Sequence, residues 1–249
     1  HKEYRRQRQM CIRDRVNNMS LTYVQLKQAI QDFTENDATE FTTATGSGKA
    51  PIDVCIQFAE MRIFREADVA AYRKTVDVTL SANNQFLDLP QDLYVTRYIK
   101  TKTGEFLKEK DQTFIREFSQ NDSAGVATLQ GTPQFYALYG EGAYSASDRG
   151  MKWQFSPRAD VDYTLEIGYT ILPTGLSGSN ANSYLGDYAP DLLLYACLLE
   201  AAAFMKSPGD QGSRYQALYD RALQTFIGQE QVRKRTDEFV SGETGTKGL

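Results

Sequence analysis

The stretch TGSGKA, residues 45–50, is the first place where residue types and spacing could do chemistry. A phosphate-cradling loop needs Gly six positions before its Lys and Ser or Thr directly after it, so that backbone N–H groups wrap the phosphates and the hydroxyl meets magnesium. Those places hold Thr43 and Ala50, and no strand pattern precedes them. A solvated Gly/Ser turn explains the stretch better. GEGAYS at 140–145 is a poorer Gly-rich match and reads as a turn between strands. The carboxylate pairs Asp160/Asp162 and Asp187/Asp191 have the groups that general acid–base work requires. In a chain with 32 Asp and Glu, close pairs arise by chance, and solvated loops suit these. Trp153, the single Trp, lies in an alternating run and reads as a core or interface residue rather than a ligand platform.

Histidine chemistry depends on one residue, because the only His is His1. It belongs to a segment of unusual composition, in which RRQRQMCIRDR places a basic run around Cys11. Residues 1–18 carry six Lys/Arg against two Asp/Glu, which leaves 22 basic against 30 acidic residues from position 19 onward. A nucleic-acid arm should precede a basic domain, and an acidic one follows. A secretory signal needs roughly 7–15 apolar residues after its charges, and Met10-Cys11-Ile12 is too short. MCIRDR also matches the translation of a transposon end left by a common sequencing-library method. Residues 1–18 are therefore expected to be a non-native leader, with Met19 as the first residue of the protein proper. Without the leader the chain has no His, so Ser-His-Asp and Cys-His activation and most catalytic zinc sites lose their usual residue. The remaining thiols, Cys55 and Cys197, each lie in apolar helical patterns and read as buried small hydrophobes in a reducing compartment. These observations predict no catalytic residue, no cofactor and no metal.

Helical periodicity occupies both ends. In LTYVQLKQAIQDF, Thr22 and Gln25 have capping-box spacing, Leu21 and Leu26 fit the staple positions, and Tyr23, Leu26, Ile30 and Phe33 share one face. TENDATEFTTATGSGKAP reads as a polar connection. Pro51 opens a second helix that buries Ile52, Cys55, Ile56, Ala59 and Ile63, and READVAAYRK should break and restart. APDLLLYACLLEAAAFMK predicts a helix apolar on nearly every side and ended by Ser207-Pro208-Gly209. At about 14 apolar residues it is too short to cross a bilayer, so it should be the central helix of a bundle. A charge at Leu194 or Leu198 should then be severe. Tyr215, Tyr219, Ala222 and Phe226 mark one further amphipathic helix.

Between the helical ends the period falls to two. TVDVTL, the turn SANN and QFLDLP give a hairpin signal; LYVTRYIKTKT and GEFLKEKD pair across Gly104; TFIREFSQ is a short helix. PQFYALYG, GMKWQFSP and VDYTLEIGYTILP complete an antiparallel set. The fold class is α+β, a helical bundle formed by N- and C-terminal helices with an inserted antiparallel β-sheet or sandwich domain. The boundaries are 19–74 for the N-terminal helices, 75–175 for the β insertion, 186–232 for the C-terminal helices and 233–249 for a tail without periodicity.

Taken in order, LTYVQLKQAIQDFTENDATEF, FAEMRIFREADVAAYRKTV, FLDLPQDLYVTRYI, GTPQFYALYG, DYTLEIGYTILPTGLS and YAPDLLLYACLLEAAAFMK resemble the adaptor, or head-to-tail connector, proteins of short-tailed bacteriophages, over residues 21–231. The first 18 residues have no counterpart there. The resemblance implies a structural virion protein at the head-tail junction, made in the bacterial cytoplasm. It implies a homo-oligomeric ring, commonly of twelve copies, that joins the portal to the tail tube or nozzle, with DNA met only in transit and no membrane. C-terminal extensions in such families reach into the portal. Arg233, Lys234 and Arg235, a basic cluster on an acidic body, and Phe239-Val240, an apolar anchor, are therefore the candidate portal-binding residues. The competing reading is a carbohydrate-binding or carbohydrate-degrading tail module using carboxylates and exposed Tyr.

Overall fold

A computed structural model describes residues 20–35, 39–44, 48–119, 129–140, 150–205 and 209–242, with side chains to Arg233 in the last helix. The expected leader at 1–18 lies outside the described residues. In chain order the first elements are α1 (Tyr23–Thr34), α2 (Thr39–Thr42), α3 (Pro51–Glu66), a 3-10 turn (Ala70–Tyr72), β1 (Arg73–Leu80), β2 (Phe86–Asp88) and β3 (Leu93–Thr101). Then come β4 (Lys108–Glu109), α4 (Gln112–Phe118), β5 (Phe135–Gly140), β6 (Met151–Ser156) and β7 (Tyr163–Ile171). The chain closes with α5 (Tyr184–Tyr188), α6 (Pro190–Phe204) and α7 (Gly209–Gly242). Two compact units divide it, one from the two ends of the chain (to Ala71 and from Thr174) and one of residues 72–173.

In the helical unit, α6 is the element around which the others pack: α1, α3, α5 and α7 all contact it. Leu192, Leu193, Ala196, Cys197, Leu198, Ala201 and Ala202 are buried, a set too wide for one helix face. The flanking helices supply the apolar cover, through Leu26 and Ile30 of α1, Ile52, Ile56, Ala59 and Ile63 of α3, and Tyr219, Ala222, Leu223 and Phe226 of α7. Thr22 and Gln25 form both halves of the α1 capping box. At its start, Leu21 N–H donates to the Gly186 carbonyl at 2.9 Å, and a Cβ at Gly186 would come within 2.5 Å of the Leu21 oxygen, so the approach requires Gly. Phe33, expected on the buried face, is 56% exposed because it falls in the last turn. The polar connection hides a short helix, α2, whose buried Phe41 stacks on Phe204 at a centroid distance of 5.6 Å.

The β unit is two sheets around one core. One has the order β1-β7-β3, all antiparallel; the other has the order β2-β6-β5-β4. Trp153, Phe155, Leu165, Ile167 and Tyr169 fill the core, and Trp153 Nε1–H donates to Thr96 Oγ1 at 3.1 Å, bonding one sheet to the other. Gly168 is required for packing, since a Cβ there would collide with the ring of Tyr98. Two expectations change. SANN does turn, with Asn83 left-handed at φ 60° and Asn84 accepting from Phe86 N–H at 3.0 Å. It carries the chain between sheets, though: β1 pairs with β7 and β2 with β6, so no β1–β2 hairpin forms. The set is also not wholly antiparallel, because β4 runs parallel to β5.

The environment of α6 yields a graded prediction. Leu198 is fully buried whereas Leu194 is only partly so. Leu198→Ala should cost about 2–5 kcal/mol in urea unfolding, and Leu194→Ala clearly less. Equal costs would contradict a helix enclosed as described.

Candidate functional site

Among the described residues, the sequence motifs do not come together as a reaction centre. Asp160 Oδ1 accepts from Val161 N–H at 3.1 Å and from the Tyr163 hydroxyl at 2.8 Å, while Asp162 Oδ1 accepts from Ala82 N–H at 2.7 Å. Both carboxylates thus hold turns at the sheet ends. Asp187 and Asp191 fall in the first turns of α5 and α6, where an acid favours the helix dipole. Lys49 is exposed, and residues 45–47 of TGSGKA lie outside the described residues, as does 141–145 of GEGAYS. Cys55 and Cys197 are free and buried; burial pushes the Cys55 thiol up to about 11 and that of Cys197 well above its ordinary value, so neither is poised to react. Among the described residues no group of three His, Cys, Asp or Glu side chains could hold a metal ion. A hollow of about 450 Å³ beside Phe58, Arg62, Glu66 and Glu200 contains two carboxylates. Glu200 pairs with Arg62 at 2.5 Å and Glu66 accepts from the Tyr219 hydroxyl at 2.7 Å.

Two other carboxylates have a mechanical part. The chain leaves the helical unit after Ala71 and re-enters it at Thr174. Beside the exit, Glu230 Oε2 of α7 accepts from Ala70 N–H at 3.1 Å; beside the return, Glu60 Oε2 of α3 accepts from Leu176 N–H at 2.9 Å. Both contacts lie within the helical unit, and each ties its N-terminal half to its C-terminal half. Burial drives Glu60 up to about 7, with the Leu176 hydrogen bond opposing.

Glu230 is 2% exposed and is the centre of a cluster. Its Oε1 accepts from the Tyr184 hydroxyl at 2.8 Å and from Arg233 Nη1 at 2.6 Å, and Arg233 also donates to the Tyr184 hydroxyl. The guanidinium lies over Tyr188 at 5.1 Å and Tyr184 at 5.9 Å, which themselves pack at 4.7 Å. Burial and the Glu230 carboxylate push the Tyr184 phenol up to about 12. The cluster joins α7 to α5 by charge-assisted bonds and cation–π contact.

This arrangement corrects the sequence reading of the C-terminus. Arg233 does not project free positive charge; it is engaged within the helical unit. Nor does periodic structure stop at 233, since α7 is helical through Gly242. No Gly or Pro falls between Gln229 and Ser241, and Arg233/Asp237 and Lys234/Glu238 have the i,i+4 spacing that favours a helix. Past Arg233 the axis runs on for about 13 Å. Lys234, Arg235, Phe239 and Val240 lie on that extension, their side chains outside the described residues; 243–249 lie outside entirely. Sequence reasoning missed Glu230 and Tyr184. Glu230 was legible, because it follows Phe226 by four and so falls on the buried stripe of α7. Tyr184 was not, because only the fold brings it there.

Among known families, that described as SU10 adaptor protein matches residues 21–242, nearly the whole described chain and both units. No curated protein matches the chain.

The Glu60 environment predicts a pH dependence. Its folded value lies above the ordinary carboxylate value of 4.5, so the folded state holds more protons between about 4.5 and 7. Its contribution is fully present below that window and falls as pH rises through it, by up to about 3 kcal/mol. Glu60→Gln keeps an acceptor for Leu176 N–H and removes the titration. Its melting temperature should exceed that of the parent at pH 8 by several degrees and equal it near pH 4.5. A difference independent of pH would contradict this assignment.

Proposed function

The chain belongs to the SU10 adaptor protein family and is a structural head-to-tail adaptor of the bacteriophage virion, and we propose that it closes into a twelvefold ring between portal and tail, with the end of α7 as its grip on the portal. The ring meets DNA only in transit and works without catalysis. The protein is made in the host cytoplasm and acts in the virion, at the head-tail junction. The family match carries the reading, because it spans both units and is to structural proteins. It lends no support to the carbohydrate-acting alternative. Among the described residues no helix is long and apolar enough to cross a membrane.

The division of labour along α7 supports the portal assignment. Glu230 and Arg233 fix the base of the extension to α5, so Arg233 acts as a positioning residue. Lys234, Arg235, Phe239 and Val240 follow on an already helical backbone. A preformed helix avoids most of the roughly 1–2 kcal/mol of backbone entropy that each ordered residue otherwise loses on docking. Apolar contact at Phe239 and Val240 would supply salt-independent affinity, and Lys234 with Arg235 a screened electrostatic part.

Deletion of residues 234–249 retains Arg233. It should leave the melting temperature nearly unchanged and weaken binding to the portal encoded by the same phage at least tenfold, about 1.4 kcal/mol. Phe239→Ala should lower affinity at any salt concentration, and Lys234→Glu/Arg235→Glu mainly at low salt. Undiminished portal binding by the truncated protein would refute the assignment.

A further inference from the structure

The outward sides of α1 and α7 carry two stripes that match each other. Both helices turn their buried faces to the helical core, through Leu26 and Ile30 in α1 and through Tyr219, Phe226 and Glu230 in α7. On the outward side of α1 lie Val24, which is 71% exposed, then Gln28 and Asp32, with Glu35 at the C-cap. This end of α1 is acidic, with Asp32 accepting from Gln28 Nε2 at 2.8 Å. It has no basic residue in its last turn, two acids, and the negative end of the helix dipole.

The outward side of α7 presents Val232, which is 64% exposed, then Gly228, Arg221 and Arg214. A Cβ at Gly228 would meet nothing within 4 Å, so the surface there is open and low. Among the described residues neither Arg221 nor Arg214 has an ion pair. Read from Val24, the α1 stripe steps by four to Gln28, and the exposed Glu35 follows at the left-handed C-cap, eleven positions beyond Val24; read backward from Val232, the α7 stripe steps by four to Gly228 and reaches Arg221 at eleven. Two antiparallel helices in that register set Val on Val, Gln over Gly and acid on Arg along about 16 Å of axis.

We propose that these stripes are the two halves of a contact between copies of this chain, the outward side of α7 in one copy seating the outward side of α1 in the next. The occupant is a second copy because both stripes belong to one chain, are opposite in charge at one end and are apolar at the other. Complementary charge then fixes orientation and register. The stripes are different surfaces, so the contact is heterologous, the kind that generates a ring when its rotation closes. The inference rests on the ring reading above and adds which surfaces meet.

The test uses the full chain, with native mass measurement in the presence and absence of the portal protein of the same phage. Arg221→Glu and Glu35→Arg should each lower the assembled fraction at least tenfold while leaving the circular dichroism spectrum and melting temperature of the monomer unchanged. Combined in one protein, they should restore assembly. If the parent assembles and the single variants assemble equally well, this contact is wrong while the ring reading stands. Single variants that fail without rescue in the double variant would overturn the pairing of Glu35 with Arg221. A parent that stays monomeric with and without portal would overturn the ring reading, and this contact with it.

Discussion

The fold of the helical unit follows from α6, a helix with no polar side to give to water. At roughly 25 cal/mol per Å² of apolar surface, such a helix is unfavourable unless it is covered nearly all round. No single neighbour can do that. Cover comes from α1 and α3, before the β insertion in sequence, and from α5 and α7, after it. The unit is thus closed by segments that the whole β insertion, residues 72–173, separates in sequence, and neither terminal half has a complete core without the other.

That closure determines what the carboxylates do. The β insertion, residues 72–173, separates the two halves of that core, and beside each break a backbone N–H of one half, that of Ala70 or of Leu176, is held by a carboxylate of the other half. Glu230 reaches back from α7 to the exit, and Glu60 reaches from α3 to the return. Glu230 also fixes Arg233 and Tyr184, so one buried group joins the exit of the insertion to the base of the C-terminal extension. Asp160 and Asp162, which sequence alone offers as an acid–base pair, are likewise structural acceptors.

Periodicity made the helical elements legible wherever an apolar stripe was long. The boundaries of α6, the Thr22 cap and the buried face of α3 can be read directly, because each rests on local chemistry within a few turns. Sheet pairing could not be read the same way. SANN has every mark of a hairpin, yet the partners of β1 and β2 are chosen by side-chain packing on β7 and β6, more than 60 residues away. Phe41 in α2 was hidden by its polar neighbours, and the end of α7 by Thr, Ser and charge, residues that do not break a helix without Gly or Pro. The Arg233 cluster combines both lessons: its members are spaced 3, 4 and 46 residues apart, and only the last spacing makes it a cluster.

Hydrogen exchange of the full protein, alone and bound to the portal, tests the central claim most directly. Residues 234–242 should gain protection on binding, while the amides of α6, enclosed in both states, stay the slowest and unchanged. Protection confined to the strands of the β unit, with 234–242 exchanging as in the free protein, would contradict an adaptor whose closed helical core presents its C-terminal helix to the portal.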